Sequence, residues 1–92
     1  MPEDVRHNAE QSRYEIVLPG GTVFSQYVRH GDVLAIVHTV TPPALQGRGL
    51  ASRLVREMLA DIRRQGLKVT PRCSFIVDYF ERHPEERDVL AD

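Results

Sequence analysis

Along the chain, the spacing of apolar and polar residues changes several times, and each change marks an element. Arg13 to Leu18 reads as a short strand closing at Pro19, Gly20 and Gly21, because glycine supplies the backbone conformations a tight reversal needs. From Thr22 to Arg29 the residues alternate, with Val23, Ser25, Tyr27 and Arg29 set against Phe24, Gln26 and Val28, which is the period of a strand. His30, Gly31 and Asp32 make the next turn. Val33 to Val40 follows as a nearly unbroken β-branched and apolar run, the pattern of a central strand covered on both faces. Thr41, Pro42 and Pro43 stop it, since proline has no N–H for a ladder.

From Gly49 the period becomes helical. Leu50, Ala51, Leu54, Val55, Met58, Leu59 and Ile62 fall on one stripe, and Ser52, Arg53, Arg56, Glu57, Asp61 and Arg64 on the other. Gly66 closes this helix, and Leu67 to Thr70 is a short strand ended by Pro71. Ser74 is the expected cap of a second helix over Phe75 to Arg82, which His83 and Pro84 end. Residues 1–11 lack apolar periodicity and read as a frayed lead-in. The predicted order is β-β-β-α-β-α: a compact α/β (α+β) fold with a mixed, mostly antiparallel sheet, one main helix and a short C-terminal helix.

Composition narrows the function. At 92 residues and 41% apolar content, one domain spanning 1–92 is expected, with a thin core and little room for a deep private cavity. The formal net charge of −1 argues against a primary role in binding nucleic acid or an anionic membrane. Eleven arginines against the single Lys68 are best explained by codon bias. Cys73 is the sole cysteine, which rules out an intramolecular disulfide. With a polar N-terminal stretch and no apolar run long enough to span a bilayer, the chain is expected to be soluble and cytoplasmic.

The chemistry concentrates in Gln46, Gly47, Arg48, Gly49, Leu50 and Ala51, between a buried strand and a helix start. Small residues there let consecutive N–H groups face outward at a helix N-terminus, where the dipole favours negative charge, as a phosphate cradle requires. A P-loop fails because no lysine and hydroxyl residue follow Gly49. A dinucleotide fingerprint fails because its third glycine would fall on Ser52 and its acidic residue, about 20 positions on, on Val69.

Gln46, Gly49 and Ala51 match the Q/R-x-x-G-x-G/A signature of the GNAT acetyltransferases. With His38 and Thr39 before it, and Cys73 and the run His83, Pro84, Glu85 after it, the chain from Arg13 to Val89 resembles that superfamily's small cysteine-containing subgroup. The resemblance implies an N-acetyltransferase that binds acetyl-coenzyme A as cosubstrate. Its pyrophosphate would lie on backbone N–H groups around Gly47, Arg48, Gly49, Leu50, Ala51 and Ser52, and its pantetheine arm along Val37, Thr39 and Val40, where this strand splays from its parallel neighbour. Arg48 is either a phosphate partner or merely solvated. Position 40 is commonly acidic in related sequences and here is Val40, which leaves proton removal to His38, to water or to the acceptor.

Cys73 is either a small buried apolar residue or a transient acetyl acceptor, favoured as thiolate by a nearby helix N-terminus and Arg72. His38 is either a hydrogen-bonded core residue or a base. Cys73, His38 and His83 lack the spacing of a zinc site, so no metal is expected. The expected acceptor is an amine at an open surface, small or macromolecular, and the chain a monomer or homodimer. The alternative function is a non-catalytic coenzyme A-binding or protein-interaction module.

Overall fold

The computed structural model describes residues 4–91. Its elements are β1 (Arg6–Asn8), β2 (Arg13–Leu18), β3 (Gly21–His30), β4 (Val33–Val40), α1 (Leu50–Arg64), β5 (Lys68–Pro71) and α2 (Ser74–Arg82), with 3-10 turns at Ala9–Gln11, Pro43–Leu45 and Pro84–Val89. The five strands form one sheet in the order β1-β2-β3-β4-β5. All neighbours are antiparallel except β4 and β5, which are parallel and joined through α1.

Strand alternation sorts the sheet into two faces. Tyr14, Ile16, Val23, Tyr27, Leu34, Ile36 and Val69 are buried on one, and they share a core with Leu50, Leu54, Val55, Met58, Leu59 and Ile62 of α1 and Ile76, Tyr79 and Phe80 of α2. Both helices lie on that face, α1 over β2 and β3 and α2 over β4 and β5. Past α2, Arg63 pairs with Glu86 and Asp88, tying the last 3-10 turn to the end of α1.

Among the described residues, no helix lies over the opposite face. It carries Arg13, Glu15 and Val17 of β2, Phe24, Gln26 and Val28 of β3, and His38 and Val40 of β4. The expectation that Val33–Val40 is covered on both faces is therefore corrected: Leu34 and Ile36 are buried, whereas His38 and Val40 are exposed. The unbroken apolar run reflects β-branched preference for strand backbone rather than double coverage.

The lead-in also holds structure. Met1–Glu3 lie outside the described residues, but Arg6–Asn8 add an edge strand to β2, and the element order gains a first strand. Its three residues carry no apolar side chain to advertise it; Val5 before it packs against the core, and polar contacts hold the strand itself. The His7 ring stacks on Tyr14 at 4.3 Å and its Nε2 lies 2.6 Å from the Tyr27 hydroxyl. On the other face Arg6 and Asn8 reach the Glu15 carboxylate.

Smaller differences follow from backbone geometry. Ser74 is the first residue of α2 and Cys73 occupies the cap position, without a side-chain capping bond. Beyond His83 the chain does not simply end its structure: Leu90 bridges to Val69 in parallel, and the Ala91 N–H donates to the Val69 carbonyl.

Candidate functional site

One irregularity in β4 sets the geometry of the candidate site. Gln26 of β3 lies opposite His38 and Tyr27 opposite Ile36, so Val37 faces no partner and forms a β-bulge. A bulge inserts one residue and reverses the alternation beyond it. Leu34 and Ile36 point to the helix side, and after Val37 so does Thr39, opposite the buried Ser25. His38 and Val40 turn to the uncovered face.

The parallel pairing is short. Val33 to Ile36 pair with Lys68 to Pro71, and the Arg72 N–H reaches the Ile36 carbonyl; after that β5 gives way to α2 while β4 runs on to Val40. Val37 to Val40 therefore keep β3 on one side and have no strand on the other. This is the expected splay, and its open edge offers main-chain groups to an extended amide-bearing ligand.

Cys73 sits at the mouth of this gap, half-buried, where β5 turns into α2. Its Sγ lies 3.6 Å from the Thr39 hydroxyl, and Thr39 lies 3.0 Å from the Ser25 hydroxyl. Ser25 is fully buried, and its hydroxyl finds its hydrogen-bond partner in Thr39. A buried hydroxyl needs a partner, and Thr39 serves both the Ser25 hydroxyl and the Cys73 sulfur; either atom of each pair can donate. The two contacts form a hydroxyl chain that ends at Cys73.

One strand further, Tyr14 lies opposite Ser25 and donates to Asp61 of α1 at 2.6 Å. Burial and the Asp61 carboxylate push the Tyr14 phenol well above its ordinary pKa. Burial alone would raise Asp61, but bonds from Tyr14, Arg64 and Gln65 outweigh it and hold the carboxyl below its usual range. This cluster pins α1 across the sheet. It borders a depression of about 210 Å³ lined by His7, Glu57 and Arg64 among others, away from Cys73, and the groups at its floor already satisfy one another.

The loop after β4 is built to leave backbone exposed. Pro43–Leu45 makes a 3-10 turn whose buried Leu45 anchors it, and Gln46 Nε2 donates to the Thr41 carbonyl at 3.2 Å. Gly47 and Gly49 have φ of +82° and +72°, a left-handed conformation that side chains resist. Gly49 caps α1 without a side-chain bond, and the first turn holds no acidic residue, so the N–H groups at this helix end face outward with the dipole uncompensated. A Cβ built on Gly47 or Gly49 meets no protein atom within 4 Å. The space in front of the glycines is thus free for an anion. Thr41, Gln46, Gly47, Gly49, Leu50, Ala51, Ser52 and Phe75 line a depression of about 220 Å³ there. The residues fit a diphosphate at the loop and an extended arm along β4.

The structure thus groups most of the residues singled out from sequence. Gln46 to Ser52 surround the loop, Thr39 meets Cys73, and Val37 is the bulge that orients Thr39. Val40 is exposed on the other face. His38 is exposed as well, which removes its reading as a core histidine, and it faces away from Thr39 and Cys73. Ser25 was not visible as a functional candidate in sequence; its one signal is a serine at an inward position of an otherwise apolar alternation. Among the described residues no three His, Cys, Asp or Glu side chains are grouped to hold a metal ion.

A five-stranded mixed sheet, a parallel pair that opens beyond a bulge and a glycine loop capping the crossover helix define an acyltransferase-like fold of the GNAT type. Comparison with known proteins agrees: the model of the GCN5-related N-acetyl-transferase family matches residues 13–89, and the chain belongs to that family. It is similar to Protein NATD1 of Gallus gallus and of Mus musculus, 26% identical to each over 87 residues that cover 90% of this chain and 78% of the relative. Its fold matches the solution structure of a protein described as a GCN5-like N-acetyltransferase from Staphylococcus aureus, with a TM-score of 0.77 at 19% identity, over 98% of this chain and 89% of the other. Family and fold support acetyltransferase activity.

Proposed function

We propose that the protein is an acetyl-coenzyme A-dependent N-acetyltransferase in which Cys73 accepts the acetyl group before an amine takes it. The observation that carries this reading is the Cys73 thiol at the mouth of the β4–β5 gap with a hydroxyl chain, Ser25 to Thr39, directed at its sulfur. The donor supplies an activated acyl thioester. Gly47, Gly49 and the free N–H groups of Leu50, Ala51 and Ser52 hold its diphosphate, and the unpaired edge of Val37 to Val40 holds its amide arm. Thr39 orients the sulfur and Phe75 walls the helix side.

The covalent step exchanges one thioester for another. A bond forms between Cys73 Sγ and the acetyl carbon, the bond to the coenzyme sulfur breaks, and the coenzyme leaves as its thiol with the proton that Cys73 gives up. A neutral amine then attacks the acetyl-cysteine, forming the amide and returning the proton to sulfur. No oxidant or metal enters the balance. Most of the acceleration comes from holding the thioester against the thiol.

The rival reading is coenzyme A binding without turnover, favoured by the outward turn of His38 and the apolar Val40. Intact mass after incubation with acetyl-coenzyme A separates them. An acetyl adduct on the wild type, absent from Cys73→Ala and discharged by added amine, supports transfer through Cys73. Saturable binding with no adduct and no thiol release with any of a panel of amines supports the rival.

A further inference from the structure

Of the four exposed large hydrophobic residues among the described ones, Val17, Val28, Val40 and Val77, the first three lie on the uncovered face of the sheet, one on each of β2, β3 and β4. A sheet face without a second layer is an unusual surface for a small domain to present to water. Its charges are also one-sided. Among the described strand residues and Arg72, which extends the β5 ladder, alternation directs Arg6, Arg13, Arg72 and Glu15 to this side, while Lys68 carries its Nζ to the Asp88 carbonyl at 2.9 Å and is left out of the balance. Three cations and one carboxylate leave a net +2, in a chain whose formal charge is −1, so the remainder of the molecule carries −3. The Glu15 carboxylate is moreover buried beneath Arg6 at 2.9 Å and Arg13 at 2.8 Å and offers nothing to a partner.

The same face receives one mouth of the β4–β5 gap. On the helix side the gap is bordered by the loop at Gly47 and Gly49 and by Phe75. On the other side it opens beside His38, which alternation turns outward, and Arg72. A second substrate meeting Cys73 while the donor occupies the helix side must arrive across this basic, valine-bearing surface.

We propose that the uncovered sheet face is the docking surface for the acceptor, and that the acceptor amine is carried on an acidic polypeptide segment with apolar side chains. The valines call for apolar contact, and the excess of guanidinium groups over the one carboxylate that Arg6 and Arg13 share, with Arg72 besides, calls for carboxylates. A nucleic acid fits less well, because the one Phe, Tyr or Trp ring that the described strands place on this face, Phe24, is capped by the Arg13 guanidinium at 4.6 Å. Acceptance of the acetyl group rests on the transfer reading above; the docking itself does not.

The test is fluorescence anisotropy with short fluorescein-labelled peptides on the full chain: one of Asp, Glu and Leu, one of Glu alone, one of Lys and Leu, and a single-stranded oligonucleotide. The mixed acidic peptide is expected to bind at least about tenfold more tightly than the other probes, in a salt-sensitive way. Val28→Asp, at a half-exposed position away from the loop, is expected to weaken that binding about tenfold, while Val28→Lys keeps it within about threefold. Equal affinity for the all-Glu peptide, preference for the Lys peptide or the oligonucleotide, no binding at all, or equal loss in both Val28 variants would each overturn the proposal. Acetyl-coenzyme A titrated calorimetrically into the same proteins keeps the two readings apart: peptide binding without coenzyme binding removes the transfer reading and leaves the docking face standing.

Discussion

At the scale of single residues, the chemistry turns on which side chain touches the thiol. Sequence reasoning pairs Cys73 with His38, because histidine is the usual proton carrier near neutral pH. The structure brings Thr39 there instead, 34 residues away in sequence and 3.6 Å away in space. A hydroxyl hydrogen-bonded to sulfur fixes where the sulfur points, and Ser25 fixes where the hydroxyl points. Thr39→Val keeps the shape and removes the hydroxyl, so acetyl loading of Cys73, followed by mass spectrometry over time, should slow about tenfold, the equivalent of one hydrogen bond. Thr39→Ser restores the hydroxyl and should load within about twofold of the wild type. Ser25→Ala leaves Thr39 free to turn and should fall between the two. An unchanged rate in Thr39→Val would mean that the contact orients nothing.

At the scale of elements, what could be read from sequence depended on how local the signal is. The stripe of α1 repeats over four turns, and the helix begins and ends within a residue of expectation. The small residues of the loop before it were equally legible, since glycine at a strand-to-helix junction has few other uses. The edge strand at Arg6–Asn8 was not legible, because ion pairs and a stacked ring hold it rather than apolar alternation. Nor was the bulge at Val37, which depends on counting partners across β3 and β4; without it Thr39 would face away from Cys73. The loop's role can be separated from its shape. Gly49 and Gly66 flank α1 with nearly the same φ, +72° and +71°, and a Cβ at either meets nothing within 4 Å. Replacing either by alanine should therefore cost similar stability, about 1 kcal/mol for a left-handed non-glycine residue. Calorimetry should show acetyl-coenzyme A binding weakened at least about tenfold in Gly49→Ala, where the methyl enters the anion's space, and intact in Gly66→Ala. Equal affinity in both variants would reduce the loop to a turn.

At the scale of the whole molecule, two layers must do what three do in a larger α/β protein. The helix side is closed by an apolar core, whereas the open side is held by polar contacts, chiefly the Glu15 carboxylate beneath Arg6, Arg13 and Asn8. Those contacts join β1 to β2 across the face that lacks a helix. Burial on its own would raise the Glu15 carboxyl, but the bonds from Arg13 and Asn8 and the nearby guanidinium charges prevail and hold it below the usual carboxylate range. A carboxyl that is more acidic folded than unfolded binds more protons in the unfolded chain, so its contribution is complete above its ordinary value and is lost as pH falls through the folded one. Asp61, held low under Tyr14 and Arg64, acts with the same sign from the helix side. Urea midpoints should accordingly be flat near neutrality and decline from about pH 4.5 downward. Glu15→Gln should cost about 2 kcal/mol at pH 7, because it removes the charge that two guanidinium groups share. Its acid decline should also be shallower, since one of the depressed carboxyls is gone while those of Asp61, Glu85 and Asp88 remain. If Glu15→Gln instead follows the wild-type curve in parallel at every pH, the open face is held by packing of the arginine stems and not by the carboxylate they enclose.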